Sequence, residues 1–148
     1  MPLEVKSAML ADAATVEDGK LYVHGGQWDT LGTRTLPLRH PAMAIVLVVV
    51  VPYIEAQQPH QIEVVLEFEG TELDVPRIVI GNLRTGHPAI SAPGAPVFVS
   101  LAVPIQNLEL QEAGRYDWLV KIDGDLVERI PMAVFLLPQP PGAVGPPK

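Results

Sequence analysis

At 148 residues, 48% hydrophobic and 18% charged, the chain has the size of one globular domain, too apolar for a disordered protein and too interrupted for a membrane protein. Its net charge of −7 speaks against a nucleic-acid partner, because phosphate-backbone binding draws most of its affinity from Lys and Arg. The absence of cysteine removes disulfides, thiolate catalysis and every Cys-based metal site.

Near the N-terminus, Val5, Met9, Ala11 and Ala13 alternate with Glu4, Lys6, Ala8 and Asp12, the period of a strand with one buried face. Glu17-Asp18-Gly19-Lys20 supplies turn chemistry, and Leu21-Tyr22-Val23-His24 returns as a second strand until Gly25-Gly26 breaks the pattern. These first residues hold Glu4, Lys6 and Asp12 and no apolar stretch of secretory length, so a cytoplasmic setting is the default expectation. A loop carrying Thr33, Arg34, Thr35 and Pro37 follows. Arg34, Arg39 and His40 form a loose basic cluster there, read as a solvated loop rather than an anion site.

The run Met43 to Val51 is about half the roughly 20 residues of a membrane-spanning helix and is rich in β-branched Val, so it reads as a central strand buried on both faces. Pro52, lacking an N–H, ends it. Ile62, Val64, Leu66 and Phe68 alternate with Gln61, Glu63, Val65, Glu67 and Glu69, a strand with one apolar face closing at Gly70. Val75 to Ile80 is its expected partner, limited by Pro76 to a short or edge element. Residues 81–96 carry three Gly and three Pro and read as a long loop. A strand from Val97 to Val103 follows, with Val97, Val99, Leu101 and Val103 inward and Pro104 marking an edge or bulge.

The last hairpin is the strongest local pattern. Tyr116, Trp118, Val120 and Ile122 share one face, Arg115, Asp117, Lys121 and Asp123 the other, and Asp123-Gly124 suits the positive φ angles of a tight turn. Tyr116, two residues after Gly114 at the start of a late strand, is placed like the tyrosine corner of immunoglobulin-like sandwiches, whose phenol bonds back to the preceding loop. No segment shows helical periodicity over three turns. The expectation is an all-β chain, an antiparallel β-sandwich of about eight strands, jelly-roll or immunoglobulin-like, with a small barrel as the alternative. The domain spans residues 1–137. The segment 138–148, with five prolines, cannot bury a core face, and polyproline II or disorder is the physical expectation.

Catalytic chemistry is poorly represented. His24, His40, His60 and His87 have no metal-motif spacing; the last three adjoin prolines in expected loops and read as exposed or capping imidazoles, so no metal or cofactor is expected. Ser7, Ser91 and Ser100 sit in no nucleophile elbow. Glu63, Glu67, Glu109 and Glu112 are explained by solvated faces and loops. The most unusual stretch is Gly25-Gly26-Gln27-Trp28-Asp29. Paired glycines permit close backbone approach, and Trp is costly to leave in water. It reads as a β-bulge with Trp28 covering the core edge, or as an interaction site formed by Tyr22, His24, Gly25, Gly26, Trp28 and Asp29.

Met9-Leu10-Ala11-Asp12-Ala13-Ala14, Asp18 to Gly26 with Trp28-Asp29, and the closing Gly114-Arg115-Tyr116, Ile122-Asp123-Gly124 and Ile130-Pro131 resemble an uncharacterised bacterial β-sandwich family, a domain of unknown function. Pro41, Glu55-Ala56 and His60 fit the same pattern. The resemblance covers nearly the whole chain except the proline-rich segment. It implies the fold and a mostly cytoplasmic setting, and no activity. The functional expectation is therefore a non-enzymatic interaction or assembly module, forming a homo-oligomer or binding a protein partner, with no nucleic acid and no membrane. A binder of a small ligand or carbohydrate, using Trp28, Tyr22 and His24, is the alternative.

Overall fold

The structure is a computed structural model and describes residues 2–85 and 92–138. Nine strands occupy those residues: β1 (Glu4–Glu17), β2 (Lys20–Trp28), β3 (Thr30–Thr33), β4 (Leu38–Val51), β5 (His60–Phe68), β6 (Thr71–Leu83), β7 (Val97–Leu110), β8 (Gly114–Ile122) and β9 (Asp125–Leu136). They form two open sheets, β2-β1-β4-β7 and β3-β9-β8-β5-β6, so the barrel alternative falls away. All pairings are antiparallel except β3 with β9. His87, Ser91 and nearly all of the proline-rich segment lie outside the described residues.

Three hairpins close through two-residue turns, Asp18-Gly19, Glu69-Gly70 and Asp123-Gly124, in which both residues have positive φ. That geometry matches the right-handed twist of the flanking strands, and glycine at the second position adopts it without a Cβ penalty. Both Asp-Gly pairs were legible as turns.

The core lies between the sheets. Ile62, Val64 and Leu66 of β5 meet Tyr116, Trp118, Val120 and Ile122 of β8 and Met43, Ile45, Leu47, Val49 and Val51 of β4 in one buried cluster, with the alternation expected. Trp118, fully enclosed, is the largest side chain in it. The outer face of the second sheet carries charged side chains around Val65 and Leu119, which are themselves buried there although Val65 was expected on the solvated face. Arg77 bridges Glu63 and Glu72, Lys121 also reaches Glu72, and Arg129 reaches Glu67 and Asp117. These pairs are solvated and contribute little individually.

Several expectations need correction. In β1 the register shifts between Val5 and Ser7, so Ala8 and Leu10, not Met9 and Ala11, turn toward the core. A bulge inserts one residue and exchanges the faces beyond it. Asn107, with φ +54, sits where the face of β7 likewise changes: Val103 and Ile105 point inward before it, Leu108 and Leu110 after it. β7 therefore runs past Pro104 to Leu110, an edge strand in which proline's missing donor is harmless. Pro76 is similarly accommodated in β6, an edge strand that is longer than expected and takes Gly81–Leu83 from the anticipated loop. Residues 30–33, expected in a loop, make the short parallel strand β3, whose Leu31 packs against the core. Arg39 and His40, also expected in a loop, belong to β4.

The expectation that Met43 to Val51 is buried on both faces holds, although only one face meets the second sheet. Ala11, Ala44 and Val46 on the other face are essentially inaccessible. The far half of the β1–β2 hairpin accounts for their cover. It reaches across β4 toward β7, where Ala14 to Glu17 and Ser100, Leu101, Ala102 and Pro104 line one shared cleft.

Candidate functional site

The stretch singled out in the sequence divides into pieces with different environments. Leu10 pairs with Trp28 but Ala11 with Gly26, leaving Gln27 as the extra residue of a bulge at φ +67. Gly25 has φ +60 and lies so close to the Asp12 carboxylate that a Cβ there would collide with it. The glycine doublet thus serves the hairpin's close approach to its own partner strand. Trp28 packs on the core edge, its ring 6.0 Å from that of His40 in an edge-on arrangement. Trp28 Nε1 and His40 Nε2 are buried with no hydrogen-bond partner among the described residues. Tyr22 and His24 sit further along β2, exposed, opposite Thr15 and Ala13. Asp29 joins Thr30, Arg115, Pro131 and Phe135 around a separate shallow cleft of about 230 Å³. The six residues therefore do not converge on one pocket.

The other end of the sandwich holds a polar arrangement that the sequence did not disclose. His60, expected in a loop as an exposed or capping imidazole, is the first residue of β5 and is buried. Its Nδ1 donates to Asp123 Oδ2 at 2.7 Å and its Nε2 to the Glu55 carbonyl at 3.0 Å. Asp123 Oδ1 in turn accepts from the Gln61 amide at 3.0 Å, and the Glu55 carboxylate stands 3.7 Å from Nε2. Burial alone lowers the imidazole's proton affinity. The bonds to Asp123 and Glu55 and the charges of both carboxylates outweigh it, so the pKa lies above the usual 6.5. Burial likewise raises that of Asp123, but the His60 and Gln61 bonds hold the carboxyl below its ordinary 3.8.

When the ring is protonated, both nitrogens donate to these two acceptors, and this is the form the pair of acceptors favours. In that form the ring ties the β8–β9 turn to the segment before β5. The Asp-Gly turn was recognisable, but nothing local linked Asp123 to a histidine 63 positions earlier.

That tie fixes a short 3-10 turn, Tyr53–Glu55, which begins where Pro52 terminates β4. Glu55 N–H donates to the Pro52 carbonyl at 2.9 Å and Gln58 N–H to the Glu55 carbonyl at 3.1 Å, so the chain reverses tightly and projects Tyr53 and Ile54 outward. Ile54 is 66% exposed and Tyr53 40%. With Pro2, Glu4, Val50, Pro52 and Pro96 they line a cleft of about 510 Å³.

The expected carboxylate roles are structural: Glu63 and Glu67 pair with Arg77 and Arg129, Glu109 with Arg39, and the Glu112 carbonyl accepts the Tyr116 hydroxyl at 2.7 Å. That last bond is the tyrosine corner anticipated from Gly114-Arg115-Tyr116. Arg34 donates to the Pro138 carbonyl at 2.9 Å, so the loose basic cluster is dispersed among separate partners. Among the described residues, no group of three or more His, Asp or Glu side chains is placed to hold a metal. No helix among them is long and apolar enough to cross a membrane.

Fold and surface together define a two-sheet β protein with an apolar cleft at one end, beside a buried His60 tied to the partly exposed Asp123. The chain belongs to DUF6941, a family of unknown function, whose profile matches residues 6–135. Among curated proteins none matches. Among solved structures, the chain is similar to the Pseudomonas fluorescens alkylpurine DNA glycosylase AlkC bound to DNA containing an abasic site analog, at 8% identity and a TM-score of 0.42. That match covers 90% of this chain and 30% of the glycosylase chain.

Proposed function

We propose that this chain is a non-enzymatic interaction module that docks an extended protein segment in the cleft beside Tyr53 and Ile54. The observation that carries the reading is the cleft's lining: Pro2, Val50, Pro52, Tyr53, Ile54 and Pro96 offer apolar and aromatic surface, with one acidic group, Glu4, among them. Grooves of this composition suit extended, proline-containing segments, whose preformed backbone loses little entropy on docking. The histidine with the best-defined partners supports the non-enzymatic part, because both its ring nitrogens are engaged in holding the turn. A small apolar ligand is the second reading, favoured by a cleft volume of about 510 Å³.

The test is titration of isotope-labelled protein with a decaproline peptide as probe, followed by amide chemical shifts. Shifts concentrated at Val50, Tyr53 and Ile54 are expected. Signals that stay put at millimolar peptide sink the docking reading.

A further inference from the structure

We propose that the cleft at the His60 end receives the proline-rich segment 139–148 of a second copy of this chain, so that two copies exchange segments. This rests on the reading of the cleft as a docking site for protein. Chemistry is the first argument. Residues 139–148 contain four prolines in two pairs, Pro140-Pro141 and Pro146-Pro147, a composition that favours the polyproline II backbone such a lining accepts. Charge is the second. Lys148 follows the second pair, and Glu4 in the cleft's lining supplies its counter-charge.

Reach decides which copy supplies the segment. Pro138 lies beside Arg34, just past the last residue of β9, whereas the cleft lies at the end where β9 begins, next to the His60 tie. The 12 residues of β9 separate the two ends by about 40 Å. Ten residues in polyproline II span about 31 Å, so a chain's own segment falls short of its own cleft. A neighbour's does not. A two-fold axis gives each copy one cleft and one segment, and the exchange requires that axis to bring each cleft within about 31 Å of the other copy's Pro138.

Sedimentation over a concentration series is compared for the full chain, a chain ending at Pro138, and Ile54→Asp, with circular dichroism as the folding control. Ile54 is largely exposed, so its substitution leaves the fold intact. The full chain is expected to dimerise and both variants to do so at least tenfold more weakly, while a peptide of residues 138–148 shifts the Val50, Tyr53 and Ile54 amides of the truncated chain. A truncated chain that dimerises like the full one, or a peptide that leaves those amides unmoved, overturns the exchange. If decaproline still moves them, only the identity of the occupant fails; if both peptides are silent, the docking reading fails as well.

Discussion

The residue that most changes the physical account is His60. Its folded pKa is raised above the unfolded value near 6.5, so its contribution to stability is fully present below that value and is lost as pH rises through the folded pKa. Asp123 has the opposite sign: depressed in the fold, it contributes above its unfolded pKa and loses that contribution as pH falls through the folded one. Stability from the pair is therefore largest between the two windows, in mildly acidic solution. Thermal melts of the native chain are expected to show the midpoint falling as pH climbs above 6.5, while His60→Gln flattens that slope. A midpoint equally pH-dependent in both proteins would refute the tie. Glu55 and Asp125, which share the cleft around His60, are the other titrating groups there. Tyr116 supplies a second residue-level expectation. Its hydroxyl reaches the Glu112 carbonyl at 2.7 Å, so Tyr116→Phe should cost about 1 kcal/mol in denaturant unfolding. Residues of this kind divide by what the sequence can show. Gly114-Arg115-Tyr116 announces its corner locally, whereas His60 and Asp123 meet only because β5 and β8 pair.

Among the elements, the hairpins were the most legible, because their turns and alternation are local. The closing pair β8–β9 has its inward Tyr116, Trp118, Val120 and Ile122 where the pattern put them. What the pattern could not show was where a strand slips. A bulge at Lys6 or a positive φ at Asn107 exchanges the faces without any compositional mark, and Met9 and Ala11 consequently face away from the core. The parallel strand β3 was equally hidden, since four residues carry too little periodicity to be read. The β2–β3 crossover gives the prediction at this scale. Trp28 covers the core edge while remaining half-buried, so Trp28→Ala should destabilise by about 2 kcal/mol, less than the 3–5 kcal/mol of an enclosed aromatic. Denaturant midpoints of that variant and of Trp118→Ala provide the comparison. Equal losses would show that Trp28 is as deeply integrated as the central tryptophan.

For the molecule as a whole, composition bounded the class and the two-sheet fold followed from alternation, but the cleft at the His60 end is a product of topology. Pro2, Val50, Pro52 and Pro96 come from three separate stretches and meet only when β1, β4 and β7 lie side by side. The same topology separates the fold's stability from its association. The buried cluster draws on residues from Leu3 to Val134, and the Pro138 carbonyl accepts a hydrogen bond from the exposed Arg34. Among the described residues, every member of that cluster precedes residue 135, and removal of residues 139–148 is expected to spare it. It should leave the unfolding midpoint unchanged when measured at concentrations low enough to keep the chain monomeric. At high concentration the full chain should melt higher than the truncated one, because association adds to apparent stability by mass action. The check is a pair of melting series, each run from low to high protein concentration. A midpoint difference that persists unchanged on dilution would place the segment within the monomer's own fold, whereas a difference that grows with concentration places it between copies.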